Sequence, residues 1–121
     1  MKIKESAENY LEAILVLGNA NGRVRSIDVA NHLGVSKPSV SVAMKHLRQN
    51  DYVIFAPDGE ISLTDAGMEI AARVYERHTV ITEALCRMGV SVEVAREDAC
   101  RIEHHISDET LTAMEKYIEN I

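Results

Sequence analysis

The chain has 121 residues, of which 46% are hydrophobic and 4% aromatic, and it carries a formal net charge of −6. This length suits one domain or two very small units that share a core; no apolar run approaches the ~18 residues of a membrane span, and the acids near the N-terminus exclude a signal peptide. Two cysteines, Cys86 and Cys100, are too few for a disulfide framework and indicate a reduced, cytoplasmic setting.

The charge is unevenly distributed along the chain. Residues 1–57 contain seven Lys or Arg and five Asp or Glu, a net +2, whereas residues 58–121 contain six against fourteen, a net −8. An acidic surface is common in solvated proteins and needs no special function. The same asymmetry also fits a weakly basic, DNA-facing half joined to an acidic half that binds cations. Charge alone does not decide between these two interpretations.

Hydrophobic periodicity predicts a first amphipathic helix from about Glu5 to Gly18, followed by a break at the NANG sequence of residues 19–22. A short second helix is predicted next. Ser26 is its expected N-cap, because a serine hydroxyl can accept a hydrogen bond from a free helical N–H. Gly34 is its expected end, because glycine adopts the left-handed conformation that often closes a helix.

The third predicted helix begins at Ser36, again as N-cap, with Pro38 in the first turn, where the missing N–H of proline costs nothing. Two short apolar runs follow, YVIFA at 52–56 and EISLT at 60–64. They are joined by Pro-Asp-Gly at 57–59, and an Asp-Gly pair between apolar runs strongly favours a β-hairpin.

The second half of the chain is predicted to be helical. Thr64 is expected to cap a long helix that runs to about Arg87 and stops before Gly89. Ser91 is expected to begin the next helix, and Ser107 is expected to break the chain and cap a final one. The predicted order is therefore three helices, a two-stranded wing and three further helices.

A helix, a glycine turn and a second helix, followed by a hairpin, is the arrangement of a winged helix-turn-helix. We predict a mostly α fold, with this unit at residues 1–64 and a helical domain at 65–121. The outer face of the third helix offers hydroxyls for phosphates and base edges, apolar groups for thymine methyls and basic groups for phosphates. The predicted DNA-binding residues are Ser36, Lys37, Pro38, Ser39, Ser41, Val42, Lys45 and Arg48. The alternative is a helical hairpin whose polar residues only face solvent.

The decapeptide DACRIEHHIS at 98–107 contains three types of metal ligand within five residues. At about 100° per residue, Cys100, Glu103 and His104 lie on one side of a helix, whereas His105 falls nearly opposite them. Thiolate, carboxylate and imidazole together suit a first-row divalent ion. His104 is therefore a candidate ligand, and His105 is expected to face solvent or to be structural.

Three ligands from one helix turn do not close a metal site, so further ligands are needed from elsewhere. Candidates are His78 on the long helix, and Asn9 with Glu12, which share one face of the first helix at a spacing of three residues. The alternative is an ordinary polar helix, because exposed Glu and His are common and a single Cys near a core edge is usually a small hydrophobe.

Several blocks of the sequence, taken together, resemble the family of metal-dependent transcriptional repressors that includes the diphtheria toxin repressor and the manganese transport regulator. The blocks are SAENYLEAI at 6–14, VSKPSVSVAMKHL at 35–47, LTDAG at 63–67, ERH at 76–78 and DACRIEHHIS at 98–107. The resemblance implies a homodimer with two winged helices and a helical metal-binding and dimerisation domain. It also implies that the dimer binds double-stranded operator DNA when Mn(II) or Fe(II) is bound as corepressor, and represses metal-uptake genes.

Transferred position by position, the resemblance implies recognition-helix contacts at Ser36, Pro38, Ser39 and Val42, and metal ligands at Asn9, Glu12, His78, Cys100, Glu103 and His104. Manganese-type members have acids at the positions of Asn9 and Cys100, whereas iron-type members have Met and Cys there. The acid that iron-type members place four residues after the histidine is Thr82 in this chain. The sequence thus combines features of both types. With its end at Ile121, the chain is expected on this resemblance to correspond to the short form without the SH3-like barrel domain.

Other functions remain open from the residues themselves. A winged-helix regulator independent of metal could sense oxidation through Cys100 or Cys86, or bind a small effector. A metalloenzyme is disfavoured, because the sequence has no nucleophile–base pair and no glycine-rich loop, and no small organic substrate is expected. A metal-free interaction module would make the helix-turn-helix incidental.

Overall fold

The computed structural model describes residues 5–120 of the chain. Within them lie the elements α1 Glu5–Asn21, α2 Ser26–Leu33, α3 Lys37–Gln49, β1 Val53–Phe55, β2 Ile61–Leu63, α4 Asp65–Arg87, α5 Val92–Ile102 and α6 Asp108–Glu119. The predicted order of elements and the mostly helical fold class are confirmed. These elements form two compact units, which divide between Ala72 and Arg73, inside α4. Among the described residues, no helix has both the length and the hydropathy that crossing a bilayer requires.

The core of the first unit forms where the apolar faces of α1, α2 and α3 meet. The inward stripe of α3 is formed by Val40, Met44 and Leu47, which are buried, and Ala43, which is half-buried. Leu11 of α1 is fully buried in the same cluster. Burying an aliphatic side chain of this size contributes roughly 1.5–3 kcal/mol, so this stripe fixes which face of α3 remains outside.

The turn between α2 and α3 is tight because Gly34 adopts a left-handed φ of 68° and donates its N–H to the carbonyl of Ala30. This conformation is strained for residues with a Cβ. Helix α3 then begins with Ser36 as N-cap, whose hydroxyl accepts the Ser39 N–H at 3.3 Å. The predictions that Gly34 ends α2 and that Ser36 caps α3 are both confirmed.

Strands β1 and β2 form the antiparallel hairpin predicted as the wing, with Val53 opposite Leu63 and Phe55 opposite Ile61. Two contacts attach it to the segment before α2. The N–H of Ile61 donates to the carbonyl of Val24 at 2.8 Å. The guanidinium of Arg25 donates to the main-chain carbonyl of Asp58 in the hairpin turn, and lies 3.5 Å from the Asp58 carboxylate. The wing is therefore held both at its strand and at its tip.

The start of α4 packs closely against the backbone that follows α3. Thr64 caps the helix as predicted: its hydroxyl accepts the Gly67 N–H at 3.1 Å and donates to the carbonyl of Asp51 at 2.6 Å. Gly67 lies so close to this backbone that a Cβ added there would be 2.1 Å from the carbonyl oxygen of Tyr52. Only glycine fits this position without a shift of the chain.

The second unit contains the remainder of α4 together with α5 and α6. Gly89 closes α4 with a φ of 105° and donates to the carbonyl of Cys86. Ser91 and Ser107 cap the next two helices through hydrogen bonds to the N–H groups three residues on. The predicted ends of these helices are confirmed, except for the C-terminus of α5.

Three predicted boundaries are wrong. Helix α1 continues three residues beyond Gly18, because Gly22 rather than Gly18 adopts the left-handed conformation, with a φ of 78°. Ser26 is the first helical residue of α2, not its cap; the N-cap position is taken by Arg25, whose N–H donates to the Asp28 carboxylate at 2.9 Å. Helix α5 ends at Ile102, whereas the helix was predicted to continue through the ligand residues that follow.

Candidate functional site

The eight residues predicted to contact DNA are all exposed, on the outer side of α3 or at its N-cap. Val42 is 58% exposed although it is apolar, whereas Val40, two residues earlier, is fully buried. An exposed valine among serines and basic residues provides groups for both thymine methyls and phosphates. The structure thus makes these side chains available, and their contact with DNA stays a prediction.

Three of the eight already have partners within the first unit. The guanidinium carbon of Arg48 lies 5.6 Å from the centroid of the Phe55 ring on β1, a cation–π distance. The hydroxyls of Ser36 and Ser39 lie 2.8 Å apart. Arg48 therefore connects the end of α3 to β1 of the wing, and Ser36 combines a capping role with its predicted role at the DNA.

A pair of serine substitutions separates these roles. Ser36→Ala removes the cap of α3 and is expected to lower the free energy of unfolding by ~1 kcal/mol. Ser41→Ala removes an exposed hydroxyl within α3. Its free energy of unfolding is expected to stay within about 0.5 kcal/mol of the wild-type value. Urea unfolding followed by circular dichroism measures both. Equal stabilities for the two variants would contradict a capping role for Ser36.

In the second unit, three of the predicted metal ligands come together: His78 from α4, Cys100 from α5 and Glu103 just after α5. One potential ligand atom from each lies within 4.8 Å of the other two. Nδ1 of His78 is 2.9 Å from Oε2 of Glu103 and 3.8 Å from Sγ of Cys100. An imidazole nitrogen, a carboxylate oxygen and a sulfur at such distances can bind one first-row divalent ion.

The carboxylate of Glu103 is the most buried group of this cluster, with a side-chain exposure of 0%. Oε2 faces His78, whereas Oε1 makes no hydrogen bond among the described residues and lies 3.5 Å from Nε2 of His104. A buried carboxylate normally carries partners on both oxygens, because an uncompensated charge is costly to bury. A cation is the partner that this arrangement suits, so the residues present fit a metal ion.

The periodicity predicts that Glu103 and His104 lie on a face of the helix. In the structure, both follow Ile102, the last residue of α5. Glu103 still has helical dihedral angles and donates its N–H to Ala99, but His105 and Ile106 both donate to Ile102, and a turn follows. The helix ends here because Ser107, the cap of α6, requires extended backbone. The side chain of His104 is 1% exposed, and its Nε2 lies 3.5 Å from Oε1, the other oxygen of Glu103, so its role as a ligand stays a prediction. His105 is exposed.

The other two candidate ligands, Asn9 and Glu12, lie on α1 in the first unit and are both half-buried. Their spacing of three residues puts them on one face of α1, as the sequence indicated. Their role as ligands stays a prediction that rests on the resemblance.

Sequence reasoning missed Arg77, the residue before His78. Its guanidinium donates to the carbonyls of Glu103 and Ile106 and pairs with the Asp108 carboxylate. These partners are 26, 29 and 31 residues away along the chain. No periodicity or spacing could have indicated them, and the only sequence signal was the position of Arg77 beside a candidate ligand.

Two protein-family descriptions match nearly the whole chain. Residues 2–61 match the N-terminal DNA binding domain of the iron dependent repressors, and residues 64–121 match their metal binding and dimerisation domain. Among curated proteins, the chain is 36% identical over 116 residues to the transcriptional regulator MntR of Escherichia coli O6:H1, covering 96% of this chain and 75% of that protein. It is 31% identical to an uncharacterised HTH-type transcriptional regulator of Methanocaldococcus jannaschii, covering 97% of this chain and 95% of that protein.

A solved structure, that of IdeR from T. acidophilum, superimposes with a TM-score of 0.85 at 26% identity. The match covers 98% of this chain and 55% of the solved one, so the chain spans about half of the length of that structure.

Proposed function

Because the chain belongs to the iron-dependent repressor family of transcriptional regulators, the family of the diphtheria toxin repressor and the manganese transport regulator, we propose that it is a metal-dependent repressor. As a homodimer it binds operator DNA when Mn(II) or Fe(II) occupies the centre around Glu103, and it controls metal-uptake genes. The resemblance inferred from the sequence blocks is thereby confirmed at the level of the family.

One observation carries the metal dependence: the buried Glu103 carboxylate faces the imidazole of His78 and the thiol of Cys100, and its second oxygen is without a hydrogen bond among the described residues. We propose that His78, Cys100, Glu103 and His104 hold the ion; Nε2 of His104 lies 3.5 Å from the second carboxylate oxygen of Glu103. When bound, the ion supplies the positive charge that compensates this buried carboxylate. We keep Asn9 and Glu12 as further ligands implied by the resemblance.

The DNA-binding role rests on the first unit. Serine hydroxyls at the N-terminus of α3, the exposed Val42 and the basic Lys37 and Lys45 face away from its core. We propose that Ser36, Pro38, Ser39 and Val42 reach the base edges, whereas Lys37, Ser41, Lys45 and Arg48 contact the sugar–phosphate backbone. Two-fold symmetry of the dimer would place two recognition helices in half-sites about one helical turn apart.

Metal and DNA are coupled by linkage. If one state of the protein binds both the ion and the operator more tightly, each ligand raises the affinity for the other by the same factor. Such couplings are usually ~1–3 kcal/mol, or about 5–150-fold. We further propose a cytoplasmic location and a functional boundary after Thr64, where the wing ends and α4 begins.

The test begins with duplexes that the protein selects from a random-sequence DNA pool in the presence of Mn(II). We expect the dissociation constant for a selected duplex, measured by fluorescence anisotropy, to fall about 5–150-fold when Mn(II) or anaerobic Fe(II) replaces chelator. Mg(II) at the same concentration serves as the control, because thiolate and imidazole are poor ligands for it.

Equal DNA affinity in chelator and in Mn(II) or Fe(II) would overturn the metal dependence. A second candidate function is favoured by the exposed Cys100, whose sulfur lies 3.8 Å from an imidazole nitrogen: a winged-helix regulator that responds to oxidation. For that function, peroxide would change DNA affinity in chelator, and Cys100→Ser would abolish the change.

A further inference from the structure

Arg77 is the side chain that joins three parts of the second unit. It extends from α4, next to His78, and is 14% exposed. Its Nη1 donates to the carbonyl of Glu103 at 3.3 Å and to that of Ile106 at 2.8 Å. Its Nη2 lies 2.6 Å from the carboxylate of Asp108, the first residue of α6. One guanidinium thus spans the whole turn between α5 and α6.

This turn needs such a partner. The last carbonyls of a helix have no hydrogen-bond partner within the helix. The residues that join one helix to the next add further carbonyls that need a partner. The carbonyl of Ile102 accepts from His105 and Ile106, whereas those of Glu103 and Ile106 accept from Arg77. Hydrogen bonds from an ionised donor are stronger than neutral ones, so Arg77 fixes the path of this turn relative to α4.

We propose that Arg77 is a positioning residue for the metal centre. It contacts the main chain of Glu103 while its neighbour in sequence, His78, contacts the Glu103 carboxylate. Two consecutive residues of α4 therefore contact the main chain and the side chain of the same glutamate. The proposal rests on the proposed function, because it assumes that Glu103 binds the ion.

The geometry distinguishes positioning from a simple effect of charge. A positive charge near a cation site lowers affinity for the cation, so removing it should tighten binding if charge dominated. If Arg77 acts by positioning, removing it weakens binding. Lysine keeps the charge, but its single ammonium cannot reproduce the planar fork that bonds two carbonyls and a carboxylate.

The experiment compares Arg77→Lys and Arg77→Met with Arg87→Met in the full chain. Arg87 lies on the same helix, and its ion pair with Glu83, four residues away, is on the surface. Mn(II) affinity is measured by calorimetry, and Co(II) absorption reports the coordination geometry and the Cys100 thiolate. We expect both Arg77 variants to bind Mn(II) about 10–100-fold more weakly, the range for groups that orient metal ligands. Their Co(II) spectra should change, whereas Arg87→Met should match wild type.

A second readout does not involve metal. In the metal-free protein, Arg77→Lys should speed hydrogen exchange of the amides in the turn at 103–106 without changing exchange in α3. Should Arg77→Met fail to fold, the test is made with Arg77→Lys and with Asp108→Asn, which removes the negative charge of the exposed partner of Arg77.

Wild-type Mn(II) affinity and Co(II) spectra in Arg77→Lys would overturn the proposal, as would tighter binding by Arg77→Met. Absence of Mn(II) binding by the wild-type protein would instead refute the proposed function, and faster exchange at 103–106 would then still establish the role of Arg77 in the turn.

Discussion

Glu103→Gln is expected to remove metal binding while the protein stays folded. Substitutions of groups that only support a ligand cost about 10–100-fold in metal affinity, so the loss of the buried ligand itself should exceed 100-fold. Gln keeps the shape of the side chain and can still hydrogen-bond to His78, but it has no charge to attract the cation. The increase in melting temperature that Mn(II) gives to the wild type should disappear in the variant.

The stability of the metal-free variant makes this prediction more specific. In the wild type, a carboxylate with 0% side-chain exposure has one oxygen without a hydrogen bond among the described residues. Burial of a charge without full compensation is unfavourable, and a neutral amide reduces that cost. Metal-free Glu103→Gln should therefore melt no lower than metal-free wild type. A large drop in melting temperature would mean that Glu103 has a structural rather than a metal-binding role.

The substitutions His104→Ala and His105→Ala are expected to differ in their effect on Mn(II) affinity. Nε2 of His104 lies 3.5 Å from Oε1 of Glu103, whereas the adjacent His105 is exposed. We expect calorimetry to show weaker Mn(II) binding for His104→Ala and nearly wild-type binding for His105→Ala. Equal losses in Glu103→Gln and His105→Ala would overturn the assignment of the site.

Gly67→Ala is expected to lower the free energy of unfolding of the first unit strongly. The new Cβ would lie 2.1 Å from the carbonyl oxygen of Tyr52 and 3.0 Å from its carbonyl carbon. Both are backbone atoms, and the Tyr52 oxygen also accepts the Thr64 N–H at 3.1 Å, so it cannot move away without breaking this hydrogen bond. Overpacking usually costs ~1–3 kcal/mol, and we expect a value at the upper end of that range.

Gly18→Ala is the matched control, because it makes the same change inside another helix of the same unit. A Cβ at Gly18 would meet only a methyl of Val24 at 3.8 Å, an ordinary contact. Alanine within a helix is more stable than glycine by roughly 0.5–1 kcal/mol, so this variant should gain stability. Urea unfolding followed by circular dichroism measures both variants. Similar stabilities for the two would contradict the close approach at Gly67.

The parts of the fold that could be predicted are those that local chemistry determines. The caps at Ser36, Thr64, Ser91 and Ser107 each bond an N–H three residues on, a distance within reach of sequence reasoning. Ser26 misled because two adjacent residues could occupy the cap position, and the Asp28 carboxylate, which accepts from the Arg25 N–H, favours Arg25.

The candidate site could be predicted only in part. Ligand chemistry and the resemblance indicated His78, Cys100 and Glu103, which the structure brings together. Helical periodicity was extended one turn too far, because α5 ends at Ile102. Gly67 and Arg77 could not be identified, because their importance depends on a backbone atom of Tyr52 and on carbonyls 26 and 29 residues away. Periodicity describes which side a residue faces, not which distant backbone approaches it.

The contact of Arg25 with the wing has a consequence for how this protein can diverge. Its hydrogen bond ends on the main-chain oxygen of Asp58, an atom that every amino acid would present at that position. Replacing the Asp58 side chain would therefore remove the ion pair with Arg25 but keep this hydrogen bond. The side chain at position 58 can thus change in evolution while the wing stays attached to the segment before α2.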